Sequence, residues 1–219
     1  MTTTYGIYGA SGFGKEVLPL VKEQLRNNSR IVFIDDANVS EKFFGYDVLD
    51  FDKFKAIEGK KFVTIAIANN RIRKMLTARC LENNIEIFTV IAENVVMLDN
   101  VQMDYGSILC PFVTLTSDII IGKSFHANIY SYVAHDCVIG DFVTFAPAVK
   151  CNGNVVIEDD VYIGTGAIIY NGKPGKPLII GKGAVIAAGS VVTKSVPSAM
   201  TVFGNPAIEL TKDNIKRRK

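Results

Sequence analysis

The amino-acid sequence predicts an α/β domain with a small parallel sheet, followed by a domain built from a regularly repeated short strand. Three observations lead to this fold class. Up to about residue 90, apolar strand patterns alternate with helical patterns. From about residue 95, an apolar residue returns at every sixth position. A glycine-rich turn, GASGFG, lies between the first strand and the first helix. The expected domains are residues 1–92 and 93–219.

The first domain alternates strands with helices. Its strands are short apolar runs, and its helices place apolar residues at helical spacing, as Ile72, Met75, Leu76 and Cys80 do in the second helix. Because parallel strands need crossover connections, this Rossmann-like alternation indicates a parallel sheet covered by helices. The expected elements are strand 5–8, helix 15–25, strand 31–34, strand 62–67, helix 71–81 and strand 85–90.

The second domain shows a period of six. A helix requires a step near 3.6 and a strand a step of 2, so a sustained step of six indicates a coil with short flat faces. Each face then contributes one inward side chain. The expected inward residues are Met97, Met103, Leu109, Leu115, Ile121, Ala127, Val133, Ile139, Phe145, Cys151, Ile157, Ile163 and Ile169.

This period is interrupted once. The next inward residue is Ile180, eleven positions after Ile169, and Ile186 and Val192 follow at the step of six. The intervening YNGKPGKP is rich in Gly and Pro, which is typical of a loop. We therefore expect a loop insertion near 170–178 that adds five residues to one coil.

The composition favours a cytoplasmic protein with a buried core. Apolar residues make up 48% of the chain and the formal net charge is +2, so bulk charge favours neither a nucleic-acid partner nor a membrane surface. We expect no membrane span and no signal peptide. The four cysteines show no CxxC spacing, and we expect them to be reduced. The basic residues 216–219 are expected to form a solvated tail.

Several motifs together resemble one family, the NeuD/PglD-like bacterial sugar acyltransferases. They are GASGFGK, the DD at 35–36, ANN at 68–70, HDCVIG at 135–140 and VFGNPA at 202–207, and the resemblance covers residues 4–208. It implies that the repeat domain is the left-handed parallel β-helix of hexapeptide acyltransferases. It also implies a homotrimer, and flat faces rich in Val and Ile would favour partners over water.

The resemblance implies a catalytic group at the second-domain motif. His135 corresponds to the family's general base, Asp136 to its acidic neighbour, and Asn128 to an asparagine near the acceptor. An imidazole can accept a proton near neutral pH, and an adjacent carboxylate raises its basicity. The alternative for His135 is a polar residue without a catalytic role. His126, one position from the inward Ala127, has no family counterpart, and we expect it to face solvent or an interface.

The resemblance also implies an acetyl-CoA site and no metal. Thr144 stands where some relatives have a second histidine, and it offers only a hydroxyl. The backbone N–H of Gly153 matches a donor that faces the thioester oxygen, although an ordinary turn glycine is the alternative. Thr165 and Ala188 match positions that line the cofactor cleft. Because transfer would be direct, neither Cys137 nor Cys151 need be a nucleophile.

The resemblance further implies that the first domain binds the nucleotide sugar. The glycine spacing of GASGFG differs from the GxGxxG of dinucleotide sites, although free N–H groups at a helix start attract phosphate. A plain β–α turn is the alternative. The acids after the second strand can bond ribose hydroxyls or a base edge. The residues that match the family's substrate-binding positions are Ser11, Gly12, Phe13, Asp35, Asp36 and Ala68.

The resemblance implies an acetyl-CoA-dependent N-acetyltransferase of a nucleotide-linked 4-amino-4,6-dideoxy sugar, of the kind that feeds surface polysaccharides. UDP is the expected nucleotide, with dTDP and GDP left open. An O-acetyltransferase of a sialic acid-type sugar is the nearest alternative enzyme. A zinc-bearing β-helix would need three histidine ligands, and the chain has two histidines. A non-catalytic β-helix binding module is the remaining alternative.

Overall fold

A computed structural model describes residues 3–25, 29–37 and 42–216. Residues 217–219 of the expected solvated tail lie outside this range. The chain divides into two compact units. One comprises Met1–Glu93 with Tyr105–Ile108, and the other comprises Asn94–Asp104 with Leu109–Lys219. No helix within the described residues is long and apolar enough to cross a membrane.

The first unit is an α/β domain. Its main sheet has the order β3-β4-β2-β1-β5-β6, and all its pairs are parallel except β3 with β4. The elements are β1 (Thr3–Tyr8), α1 (Gly12–Leu25), β2 (Arg30–Ile34), β3 (Lys42–Phe43), β4 (Tyr46–Leu49), α2 (Phe51–Lys55), β5 (Lys60–Ile65), α3 (Asn70–Glu82), β6 (Glu86–Ile87) and β7 (Val90–Ile91). The predicted parallel sheet is confirmed.

The apolar pattern explains this packing. Strand β2 buries Val32, Phe33 and Ile34 completely, and helix α1 buries Val17 and Val21 completely. Helix α3 begins where the Asn69 side chain accepts a hydrogen bond from the Ile72 amide. The β3–β4 hairpin and α2 were not predicted. Their signals are a turn at Phe44–Gly45, both with positive φ, and an Asp50 N-cap that accepts from Lys53.

The second unit is a left-handed parallel β-helix, as predicted. Three sheets form its faces, in the orders β8-β11-β14-β17-β20-β23, β9-β12-β15-β18-β21 and β10-β13-β16-β19-β22-β24-β25. The strands are β8 (Val96–Met97), β9 (Val101–Met103), β10 (Ile108–Leu109), β11 (Thr114–Leu115), β12 (Ile119–Ile121), β13 (His126–Ala127), β14 (Tyr132–Val133), β15 (Cys137–Ile139), β16 (Thr144–Phe145), β17 (Lys150–Cys151), β18 (Val155–Ile157), β19 (Tyr162–Ile163), β20 (Ile168–Ile169), β21 (Leu178–Ile180), β22 (Val185–Ile186), β23 (Val191–Val192), β24 (Thr201–Phe203) and β25 (Ile208–Glu209). Helix α4 (Lys212–Lys216) follows.

The strand register explains the period of six. Cys137 pairs with Ile119, 18 residues earlier, so three hexads complete one coil. One inward column runs through Leu115, Val133, Cys151, Ile169 and Val192, each at most 1% exposed. Val155 pairs with Leu178, a step of 23 rather than 18, so one coil holds five additional residues. The extra chain lies between β20 and β21.

His126 does not face solvent. It lies on β13 and is 2% exposed, so that part of the prediction is wrong, while an interface role stays a prediction. Its register partner on the next coil, Thr144, is also buried, at 5% exposure. These two outward-facing side chains are therefore buried, although their positions beside the inward-facing residues predict exposure.

Candidate active site

His135 lies at a corner of the β-helix, between β14 and β15. Its side chain is 61% exposed, and its Nδ1 lies 2.6 Å from Asp136 Oδ2. Asp136 has a φ of 57°, in the left-handed region that Asp tolerates better than most residues. This conformation turns the carboxylate back onto the preceding ring. Neighbouring residues in the sequence thus form a hydrogen-bonded pair.

The Asp136 carboxylate sets the electrostatics of the histidine. Its hydrogen bond raises the pKa of His135 above the usual 6.5, and the negative charges of Asp136 and Asp118 act in the same direction. When Nδ1–H donates to Asp136, Nε2 is the ring atom left to accept a proton. The pair is therefore suited to general base catalysis.

Gly153 lies directly against the histidine ring. A Cβ placed on Gly153 would lie 2.6 Å from His135 Cε1 and 2.7 Å from Nε2, so only glycine leaves room for the ring. Gly153 is one coil above His135, since Asn154 N donates to His135 O at 3.0 Å. Within the described residues the Gly153 amide donates to no acceptor. A free backbone N–H therefore lies next to the imidazole.

Two thiols lie just inside this corner. Cys137 is 1% exposed and Cys151 is fully buried. Their sulfur atoms lie 3.3 and 3.7 Å from the same carbonyl oxygen, that of Asn152. The adjacent thiol and burial raise the pKa of Cys151 well above its usual value. Burial keeps both groups from acting as accessible nucleophiles.

The other predicted residues of this unit lie elsewhere on the coil. Asn128 lies between β13 and β14, where its side chain accepts from the Ile129 amide. Thr165 and Ala188 lie on higher coils at the corner that carries Asn128, which is not the corner of His135. The carbonyl oxygen of Thr165 accepts a hydrogen bond from the Gly189 amide. Thr144 lies on the preceding face, on β16. Of the predicted site residues in this unit, only Asp136 and Gly153 lie next to His135 within one subunit. The roles of the other predicted residues stay predictions.

In the first unit, Ser11 and Gly12 are exposed at the start of α1. A Cβ on Gly12 would meet no atom within 4 Å, so the space beside it is open. By contrast, a Cβ on Gly14 would collide with Gly9 O, which explains the glycine there. Phe13 is half-buried and Ala68 is exposed. The start of this helix thus offers accessible backbone to a ligand.

Asp35 and Asp36 are already bonded within the protein. Asp35 accepts from the amides of Ala10 and Ala37. Asp36 accepts from the Phe51 amide at 3.0 Å and, through Oδ2, from the Tyr8 hydroxyl and from Arg79 Nη1 at 2.6 Å. Although burial opposes the effect, these hydrogen bonds lower the pKa of Asp36. Asp36 therefore links β1, α2 and α3 at the carboxyl end of the central strand β2, and its predicted substrate contact stays a prediction.

Tyr8 and Arg79 were missed by the sequence reasoning. Burial and the hydrogen bond to Asp36 raise the pKa of Tyr8, so the phenol keeps its proton. The Arg79 guanidinium lies 4.0 Å from the Phe51 ring centroid, a cation–π contact. The three groups come from β1, the end of β2 and α3, and no spacing in the sequence indicates their meeting.

A glycine-loop α/β unit together with a hexapeptide β-helix carrying an exposed His–Asp pair defines an acyltransferase of the sugar-modifying type. Residues 6–80 match the model of the PglD N-terminal domain. The GDP-perosamine N-acetyltransferase of Escherichia coli O157:H7 is 48% identical over 94% of this chain and 96% of its own length. The chain belongs to the NeuD/PglD-like sugar acyltransferase family.

Two solved structures have the same fold over nearly the whole chain. WeeI from Acinetobacter baumannii AYE has a TM-score of 0.94 and is 56% identical, covering 95% of this chain and all of its own. The acetyltransferase domain of PglB from Neisseria gonorrhoeae FA1090, in complex with acetyl coenzyme A, has a TM-score of 0.83 and is 26% identical. It covers 96% of this chain and all of its own. The predicted fold class and family are both confirmed.

Proposed function

We propose that this protein transfers an acetyl group from acetyl-CoA directly to the 4-amino group of a nucleotide-linked 4-amino-4,6-dideoxy sugar. The observation on which this depends is the exposed His135–Asp136 pair, with the free amide of Gly153 beside the ring. Two relatives support the substrates. The 48% identical protein is named for GDP-perosamine N-acetylation, and the PglB domain was solved with acetyl coenzyme A.

The chain supplies a base and an oxyanion donor. As the sugar nitrogen bonds to the thioester carbonyl, Nε2 of His135 accepts the proton that the amine loses. The developing oxygen charge would be held by the Gly153 N–H. The C–S bond then breaks, and the departing thiolate takes the proton from the imidazolium. No acyl-enzyme is needed, in keeping with the burial of both thiols.

The nucleotide end is assigned to the first unit. The exposed backbone of Ser11 and Gly12 at the start of the 14-residue α1 suits a phosphate group. Phe13 lies at the start of α1 and Ala68 follows β5, and both would contact the sugar or base. We place the reaction in the cytoplasm, where acetyl-CoA and nucleotide sugars are made.

Acetyl transfer to a panel of acceptors tests this proposal. The panel holds GDP-, UDP- and dTDP-linked 4-amino-4,6-dideoxy sugars, and GDP comes first because of the relative's name. We expect free thiol release from acetyl-CoA with at least one amino sugar and no release with its 4-hydroxy counterpart. Release with a sialic acid instead would favour the O-acetyltransferase, and release with none would favour a binding module.

Replacing Asp136 with asparagine tests the paired carboxylate. Asn also tolerates the left-handed backbone, so the corner is kept while the charge is lost. Because Asp136 raises the pKa of His135, the variant's imidazole loses its proton at lower pH. We expect the acidic limb of the kcat/KM profile to move to lower pH and the plateau to fall. An unshifted limb would show that Asp136 does not set the titration of the base.

We also propose that the protein is a homotrimer. Four outward side chains form an apolar column on one face of the β-helix: Ile120, Val138, Val156 and Ile179. Ile120 is 54% exposed, Val138 41% and Ile179 40%. A β-branched column of this kind favours contact with another copy over contact with water.

Light scattering should give a mass near three times 23.9 kDa for the native protein. We expect Ile120→Glu to shift that mass toward one chain, because it would place a charge within the apolar column. Lys150→Glu, at an exposed site on another face, is the control. A native protein that elutes as a monomer would refute the trimer.

A further inference from the structure

The peptide group that joins Asn152 to Gly153 has its carbonyl end in the interior of the β-helix. The Asn152 carbonyl oxygen lies 3.3 Å from the sulfur of Cys137 and 3.7 Å from that of Cys151, and both thiols are buried. Because this peptide is trans and planar, its C=O and N–H bonds point in opposite directions. The Gly153 N–H is therefore directed out of the coil.

The carbonyl end of this peptide is held by thiols. Among the described residues, no backbone amide donates to the Asn152 carbonyl, so the thiols supply the donor that a buried carbonyl requires. The Cys137 sulfur is the nearer one, and it also lies 3.5 Å from the carbonyl oxygen of His135. Cys137 thus contacts the backbone of the proposed base and the backbone of the proposed oxyanion donor at the same time.

The Asn152 side chain ties the same peptide to the coils on either side. Its Oδ1 accepts from the Tyr132 hydroxyl at 2.7 Å, and its Nδ2 donates to Ile169 O at 2.8 Å. Tyr132 lies one coil below Asn152 and Ile169 one coil above. Burial raises the pKa of Tyr132, so the phenol keeps the proton that it donates. Rotation of the peptide would break these hydrogen bonds.

We propose that Cys137, Asn152 and Tyr132 are positioning residues that hold the Gly153 N–H toward the oxygen of the reacting thioester carbonyl. This inference rests on the proposed function, in which that N–H stabilises the developing negative charge. Such a donor is effective because it is oriented before the reaction begins. A hydrogen bond to the carbonyl end also polarises the peptide, which strengthens its N–H as a donor. The three residues act through Gly153 and need no contact with the substrate.

Tyr132→Phe tests the side-chain tie, because it removes one hydroxyl and keeps the ring. Complete loss of an oxyanion donor costs about 10²- to 10³-fold in kcat, and a loosened donor should cost about 10-fold. We expect both KM values to change little. The plateau of the pH profile should fall while its acidic limb stays in place, since the His135–Asp136 pair is intact. Tyr162→Phe, on another face of the β-helix, is the control and should keep the native kcat.

Cys137→Ala and Cys137→Ser separate hydrogen bonding from packing. Both substitutions shorten a buried side chain, so both should lower Tm. Only the serine variant keeps a donor for the Asn152 carbonyl. We expect the alanine variant to lose about 10-fold in kcat, on the same basis as the tyrosine variant, and the serine variant to keep most of the native turnover.

A spectroscopic measurement tests the peptide without any turnover. Asn is followed by Gly only at 152–153 and 171–172, so carbonyl-¹³C asparagine with ¹⁵N-glycine labels two peptide groups in the chain. Gly153→Ala removes one of the two NMR signals and thereby assigns the other. We expect the Asn152–Gly153 signal to move in Tyr132→Phe and Cys137→Ala, and to move much less in Tyr162→Phe.

The outcomes distinguish this inference from the proposed function. Native kcat in Tyr132→Phe and Cys137→Ala, or an unmoved Asn152–Gly153 signal in both, would overturn the positioning role and leave the acetyltransferase intact. A shifted acidic limb in Tyr132→Phe would place the effect on His135 and would also overturn it. A Cys137→Ser variant as slow as Cys137→Ala would remove the thiol from the positioning set. A native protein that transfers no acetyl group to any amino sugar would overturn both proposals.

Discussion

His135→Ala is expected to lower kcat for acetyl transfer by about 10²- to 10⁴-fold, the usual contribution of a general base. The side chain is 61% exposed, so its removal should leave Tm close to that of the native protein. Steady-state thiol release at saturating acetyl-CoA, together with a thermal melt, measures both quantities. The KM values should change much less than kcat, because the base acts in the transition state.

Two further variants make this result specific. His135→Gln keeps a polar side chain but cannot accept the proton, so it should be as slow as the alanine variant. His126→Gln alters the chain's other histidine, which is buried. This variant should have a lower Tm, while kcat of the folded protein stays close to the native value. A His135→Ala protein with near-native turnover would remove the base from the mechanism and favour a binding role for the β-helix.

Gly153→Ala is expected to lower kcat by about 10²-fold with little effect on folding. The new methyl group would overlap the His135 ring, and an exposed ring can swing away at small energetic cost. The backbone itself accepts alanine, because Gly153 is not among the glycines with positive φ. A displacement of about 1 Å in a catalytic group is enough for a loss of this size. Turnover and Tm of the same preparation provide the test.

Gly140→Ala is the matched control for this prediction. A Cβ at Gly140 would lie 2.7 Å from the Asp159 amide nitrogen, which is backbone and cannot move aside. That variant should lose thermal stability instead. If Gly153→Ala were destabilised as much as Gly140→Ala, or kept its native turnover, Gly153 would be a structural glycine without a role beside the ring.

The repeat domain could be predicted almost completely because its core is one-dimensional. Each hexad contributes one inward side chain, so the apolar period specifies the coil without knowledge of distant contacts. Even the insertion could be predicted, since Ile169 and Ile180 are out of step by five residues. The short β3–β4 hairpin and α2 were not predicted, because two-residue strands and a five-residue helix have too few positions to show a period.

The candidate site was predictable only in part. The HDC motif indicated His135 and Asp136 through their resemblance to a family, and the 18-residue coil aligns position 153 with position 135. That Asp136 turns back onto the ring depends on its left-handed backbone. Asp36 accepts hydrogen bonds from Tyr8 and Arg79, which lie 28 and 43 positions away from it in the sequence. Only the folded domain brings these three residues together.

The sequence by itself therefore determined the two fold types, the coil register, the loop insertion and the identity of the His135–Asp136 pair. These follow from local periodicity and from adjacent residues. The tertiary structure decided which groups lie next to one another, as Gly153 does against the His135 imidazole, and which side chains are buried, as His126 is. Such contacts depend on how the coils stack and on which faces are covered. Both are decided by residues that lie far apart in the sequence, so no local pattern reveals them.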